Sequence, residues 1–190
     1  IIVRLPGIRR YVQSHVLPTT YRRGEPAYDA VAESYFDSTQ AMKELSKTPF
    51  YQAVLADEPN FIDRPSMNSI ITDEILIKDA APPKDALKTI DLVNRKAGMS
   101  VDEFQKYWRD THGPLCQAAS AMRRYLQNHT RRAIYDSGRT PPYDGAAMAW
   151  FDSMDALRAA APTPEFARLR EDVVNFIDRD RSPSLLTAEH

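Results

Sequence analysis

Residues 9–15 read RRYVQSH and residues 123–129 read RRYLQNH, two heptapeptides 114 positions apart that agree at five of seven places. Farther along, Tyr28-Asp29 answers to Tyr143-Asp144, and Phe36-Asp37-Ser38 to Phe151-Asp152-Ser153. The run NFIDR at 60–64 returns at 175–179, and these three matches all sit 115 apart. Order and spacing are kept with a single residue of drift, so the chain carries two copies of one fold unit rather than a coincidence of composition.

The second copy shows the unit in full. LKTIDLVN at 87–94 has the β-branched and apolar content of a buried strand. Ser100 and Glu103 have capping-box spacing, and Val101, Phe104, Tyr107 and Trp108 form a helical stripe that should stop at Gly113-Pro114. Strands are expected at 121–132 and 145–152, and a helix from Ser153. A second helix starts at Thr163-Pro164 with Phe166, Leu169 and Val173 as its stripe, and a last strand covers 183–189. The order β-α-β-β-α-β is ferredoxin-like. Projected onto the first copy, it places strands at 8–17, 30–37 and 69–78, and helices at 38–46 and 49–57. The fold expected is therefore α+β: two tandem ferredoxin-like (βαββαβ) units, 1–80 and 81–190, joined by the stiff linker Ala80-Ala81-Pro82-Pro83-Lys84. Ile1 aligns with Leu115, so the first unit lacks its opening strand and helix, and the natural protein is expected to extend upstream by about 30 residues.

Composition narrows the function classes. A net charge of −1 makes nucleic acid a poor partner, and the single Cys116 cannot close an intrachain disulfide. No Cys/His set has metal spacing, and no Gly-rich phosphate loop or nucleophile elbow occurs, so neither metal nor cofactor is expected. No apolar run reaches the roughly 20 residues of a bilayer span. No membrane partner and a cytoplasmic location are expected.

RKAGMSVDEFQKYWRDTHGPL at 95–115, followed by MRRYLQNH, PYDG and AWFDS, resembles the EthD-like family of the dimeric α+β barrel superfamily. The resemblance implies paired ferredoxin-like sheets enclosing a barrel-like space. It also implies small, hydrophobic, aromatic or polyketide-like ligands, with cofactor-independent monooxygenase, cyclase or isomerase chemistry among relatives, and it points away from haem. His112, in the Thr-His-Gly-Pro-Leu segment, matches the family's most recognisable motif residue and is a catalytic candidate near the pocket. Its alternative is structural, a histidine at a helix C-terminus favoured by the dipole.

Strand alternation selects the remaining candidates. Arg123, Tyr125, Gln127 and His129 share one face, as do Arg9, Tyr11, Gln13 and His15. With Leu126 and Val12 suited to packing on helices, this polar face should turn toward the cavity. On the following strands Ala147, Ala149, Phe151, Ala32, Ser34 and Phe36 suit the helix side, leaving Glu33, Tyr35, Met148 and Trp150 for the cavity. His129 or His15 could serve as base, Tyr125 or Tyr11 as oxyanion donor and Glu33 as a carboxylate of raised pKa. Gln13, Gln127, Tyr35, Met148, Trp150, Arg9 and Arg123 would contact substrate. The competing reading is a hydrogen-bonded ladder that only satisfies a semi-polar interior. The sequence thus points to a small aromatic or polyketide-like ligand handled by acid/base chemistry. The rival is a non-catalytic binding or stress-associated module. A homodimer is as compatible as a monomer in which the two units complete one barrel.

Overall fold

The structure, a computed structural model, describes residues 7–190; the alignment of Ile1 with Leu115 falls outside them. Seven strands form one antiparallel sheet: β1 (Ile8–Val16), β2 (Ala30–Phe36), β3 (Thr72–Asp79), β4 (Leu87–Val93), β5 (Arg124–Thr130), β6 (Gly145–Phe151) and β7 (Ser184–Glu189). Their order is β2-β1-β7-β4-β6-β5-β3. Each half of the chain lends its last strand to the other, because β3 pairs with β5 and β7 pairs with β1 as well as with β4. The result is a curled α+β half-barrel. Among the described residues its outer strands β2 and β3 each have a single neighbour, so the first-half strands do not close a sheet by themselves.

The predicted elements of residues 8–79 and 87–189 all form, within a few residues at their ends. The helices are α1 (Thr39–Ser46) and α2 (Pro49–Asp57) in the first half. In the second half they are α3 (Val101–Tyr107), α4 (Gly113–Ala118), the short α5 (Arg132–Asp136), α6 (Met154–Ala160) and α7 (Pro164–Val173). Caps set their starts. Ser38, Thr48, Ser153 and Thr163 each accept a backbone N–H three residues on, and Ser100 and Glu103 form the complete capping box.

One prediction about the helices fails. The stripe does not stop at Gly113-Pro114, because residues Trp108–His112 continue as a π-helical turn and Pro114 sits in the first turn of α4, where its missing N–H costs nothing. His112 therefore lies inside a helical run and not at a C-terminus, which removes the dipole role expected of it.

Two apolar layers flank the sheet. On the helix side Phe104, Trp108, Phe151, Leu169 and Phe176 pack with Tyr125, Ala147 and Ala149. On the concave side Ile90, Leu126, Met148, Trp150 and Leu185 pack with Val16 and Ala146. The Trp108 indole lies so close over β6 that a Cβ on Gly145 would stand 2.6 Å from its ring and 2.5 Å from the Asn128 carbonyl oxygen, a backbone atom that cannot yield. Gly145→Ala is expected to destabilise the protein by about 1–3 kcal/mol through overpacking, read as a lowered thermal midpoint; an unchanged midpoint would show that Trp108 can reseat at no cost.

Candidate functional site

The alternation rule holds along β5, but its sign is opposite to the prediction. Tyr125, Gln127 and His129 lie under the helices, not toward the concave side. The Trp108 Nε1–H donates to the Tyr125 hydroxyl at 3.2 Å, Gln127 Nε2 donates to the Trp108 carbonyl at 2.8 Å, and the His129 ring stacks on the indole at 4.4 Å. The physical reason is that one tryptophan in a π-helical turn offers an N–H, a ring face and a carbonyl that accepts Gln127 beside the Gly113 backbone N–H. A polar strand face can therefore be satisfied by a helix as well as by a hollow. On β1, Tyr11, Gln13 and His15 look away from the concave side while Val12, Ser14 and Val16 are buried. Gln13 Nε2 donates to the Tyr11 hydroxyl at 3.1 Å, and the His15 ring meets that of His190 at 5.2 Å. Arg9 and Arg123 are not ligand contacts of an interior either: each grips an aspartate at a strand end, Asp37 and Asp152, in exposed paired hydrogen bonds.

Glu33, Tyr35, Met148 and Trp150 do occupy the concave side, as the alternation of β2 and β6 predicts. They meet a residue that sequence reasoning missed. Lys88 of β4 is fully buried, and its ammonium contacts Glu33 and stands 3.3 Å from Glu189 and 4.8 Å from the centre of the Trp150 ring. Trp150 Nε1 donates to Glu189 at 3.1 Å, Arg10 reaches Glu189 at 3.3 Å, and the Tyr35 hydroxyl donates to Glu33 at 2.9 Å. Burial and then the Glu33 and Glu74 carboxylates push the Tyr35 hydroxyl far above its ordinary pKa, so it stays protonated. Burial pulls Glu189 toward neutrality, but Lys88, Trp150 and Arg10 outweigh it and hold the carboxyl below the usual range. The available signal was a lysine inside the apolar run LKTIDLV; a buried charge needs a partner of opposite sign.

The second cluster lies on the helix side. His112 is 6% exposed; its Nδ1 stands 2.8 Å from Asp172, whose other oxygen accepts the Tyr107 hydroxyl at 2.7 Å. Asn175 Nδ2 donates to the Tyr107 oxygen at 3.3 Å. Burial lowers the pKa of His112 despite the opposing carboxylate, so the imidazole is neutral at pH 7 with Nδ1–H directed at Asp172 and Nε2 carrying the lone pair. Asp172 resists its own partial burial because Tyr107 and His112 hydrogen-bond its charged form. Tyr107 and Asn175, with Met99, Lys106 and Thr111, line a surface cleft of about 510 Å³. Burial raises the Cys116 thiol to about 12, so it offers no thiolate near neutral pH. Among the described residues no group of side chains could hold a metal ion, and no helix is long and apolar enough to cross a membrane.

Two stability predictions arise from these clusters. Lys88→Met strands Glu33 and Glu189 and is expected to cost about 3–5 kcal/mol, measured by denaturant unfolding; a loss below 1 kcal/mol would mean water reaches the carboxylates freely. Burial, then the Arg109 charge, lowers His129 from 6.5 to about 4. Its contribution is complete above pH 6.5 and is lost as pH falls toward 4, because the unfolded chain takes up the proton first. About 2–3 kcal/mol should disappear across that window, and His129→Phe should flatten this slope in urea melts.

The EthD domain model matches residues 1–65 and 96–180. No curated protein sequence matches the chain. Among solved structures, a Fusobacterium nucleatum protein described as a "putative monooxygenase" superposes with a TM-score of 0.63 at 10% identity, covering 100% of this chain and 79% of its own. A Lactobacillus acidophilus protein described in the same words gives 0.51 at 8% identity, covering 94% of this chain and 92% of its own. An anthrone oxidase-like protein gives 0.59 at 10% identity, covering 98% and 78%. At these identities the likeness is one of fold. With a helical segment carrying His112 in its Thr-His-Gly-Pro-Leu motif and a family match over more than half its length, the chain belongs to the EthD domain family.

Proposed function

We propose that this protein binds a small aromatic or polyketide-like compound in the cleft beside Tyr107 and performs cofactor-independent proton transfer on it, with His112 as base. The observation that carries the reading is that cleft and dyad meet in one residue: Tyr107 lines the cleft and hydrogen-bonds Asp172, which holds His112. His112 sits behind Tyr107 rather than in the cleft lining; a neutral imidazole whose Nδ1–H is fixed by a carboxylate has Nε2 as its basic atom, and Asp172 stabilises the imidazolium that forms when it takes a proton. The Tyr107 hydroxyl commits its one proton to Asp172, and with Asn175 donating to its oxygen it positions that carboxylate against His112. Phe176, fully buried 5.0 Å from the His112 ring, packs the imidazole in place from the core side.

The name of the anthrone oxidase-like neighbour suggests a probe. Deprotonated at its activated methylene, an anthrone is electron-rich enough to reduce dioxygen itself. One oxygen atom enters at that carbon, the other leaves as water, and the product is the quinone. The two tandem units, 1–80 and 81–190, then serve as scaffold, a reading supported by the order β7-β4-β6-β5 within residues 87–189. A second reading, a non-catalytic binding module, draws support from the concave side, which is filled by Lys88, Glu33, Glu189 and Trp150 rather than hollow.

Oxygen uptake and quinone formation with an anthrone decide between them. His112→Ala should lower kcat/KM by about a hundredfold while circular dichroism stays unchanged. Because burial depresses the His112 pKa, activity should hold as pH falls to about 6.5 and drop only below it. Equal turnover by variant and wild type removes His112 from the mechanism, and binding without turnover selects the module.

A further inference from the structure

The loop that walls the Tyr107 cleft has a second, smaller cleft of about 220 Å³ on its other side, lined by Arg95, Lys96, Tyr135, Arg139, Asp144 and Arg181 among others. Four of those six are cations, in a chain whose net charge is −1. The single carboxylate is fully engaged. Asp144 is 5% exposed; one oxygen contacts the Arg95 guanidinium and accepts the Tyr135 hydroxyl at 2.6 Å, and the other accepts the Arg95 backbone N–H at 2.8 Å. Arg95 is fixed further by its Nε donating to the Met99 carbonyl at 3.0 Å. Lys96, Arg139 and Arg181 remain. Among the described residues the Lys96 side chain hydrogen-bonds only the Val174 carbonyl and that of Arg139 only the Ser137 hydroxyl, and Arg181 directs no side-chain hydrogen bond to any of them. None of the three makes an ion pair among the described residues.

The internal repeat supplies a control. In the first half the Tyr21 hydroxyl bonds Asp29 as Tyr135 bonds Asp144, so the tyrosine–aspartate lock belongs to the fold. Gly24, at φ 128°, stands where Gly138, at φ 77°, stands, and the next residues are Glu25 and Arg139. Ser66 occupies the place of Arg181. The first half keeps the tyrosine–aspartate bond with Glu25 and Ser66 at the matching sequence positions, so that bond does not require the second half's arginines.

We infer that this cleft is an oxyanion site, where Arg139, Arg181 and Lys96 receive the phosphate or carboxylate group of a small ligand. Guanidinium forks match both groups in two-point geometry, and a partly enclosed wall strengthens each charge-assisted bond. The site lies past the C-terminal end of β4, whereas Lys88 lies near its start, so it is separate from the buried ion cluster. It depends on nothing in the His112 dyad.

The test is a titration of amide resonances at constant ionic strength with inorganic phosphate and, separately, with benzoate. Saturable shifts at Gly98 and Gly138 are expected with at least one probe; the probe that saturates identifies the ligand group as phosphate or carboxylate. Arg139→Gln and Arg181→Gln should each weaken binding about tenfold, and Arg158→Gln on α6 should leave it unchanged. The same spectra report folding, and the substituted side chains are exposed. Absence of saturation with both probes, or equal affinity in the wild type and the Arg139/Arg181 double variant, overturns the inference.

Discussion

The helix side of the sheet is arranged around the Trp108 indole. Its ring needs the missing Cβ of Gly145, its Nε1–H goes to Tyr125, its carbonyl to Gln127 and its face to His129. In a regular α-helix that carbonyl would accept the His112 N–H; in the π-helical turn it accepts the Gly113 N–H instead, with Gln127 as a second donor, and the register of α4 behind it shifts. Tyr107, just before the turn, and His112, its last residue, reach the two oxygens of one aspartate on α7. A buried polar strand, a buried aromatic anchor and a candidate catalytic dyad are consequences of a single helical irregularity.

The concave side obeys another constraint. Placing an ammonium in the centre of a sheet is costly unless opposite charge and hydrogen bonds surround it, and Lys88 has Glu33, Glu189 and the Trp150 face. These partners come from β2, β7 and β6, so the cluster links strands from both halves of the sequence. It reinforces the exchange in which β3 and β7 each pair with the opposite half. Such a network specifies one arrangement of the halves more than it adds net stability, because desolvation offsets most of the attraction.

The two halves of the sequence share some local contacts and differ in others. Arg9–Asp37 and Arg123–Asp152 are the same strand-end ion pair, and the Tyr28 and Tyr143 hydroxyls meet at 2.8 Å. Beyond these the halves part. The first contributes Glu33 and Tyr35 to the concave side where the second has Met148 and Trp150, and the second alone carries the arginine-rich cleft.

The α+β class, most strand and helix positions, caps and the pairing of residues on shared faces were legible in the chain, because capping chemistry and the two-residue period of strands are local properties. Family membership came from the motif around His112. Which face of β5 looks at helices was not legible, since alternation defines two surfaces but not which element covers each. The dyad was hidden for a similar reason: Gly113-Pro114 reads as a helix stop, and Tyr107 and His112 share a partner only through the π-helical turn and an aspartate 60 residues away from the histidine. Lys88 showed itself as a charge in an apolar strand, but its partners come from strands distant in sequence. Local chemistry determined the elements and their faces; long-range packing decided what each face meets, because burial and pairing energies depend on neighbours the linear order does not place.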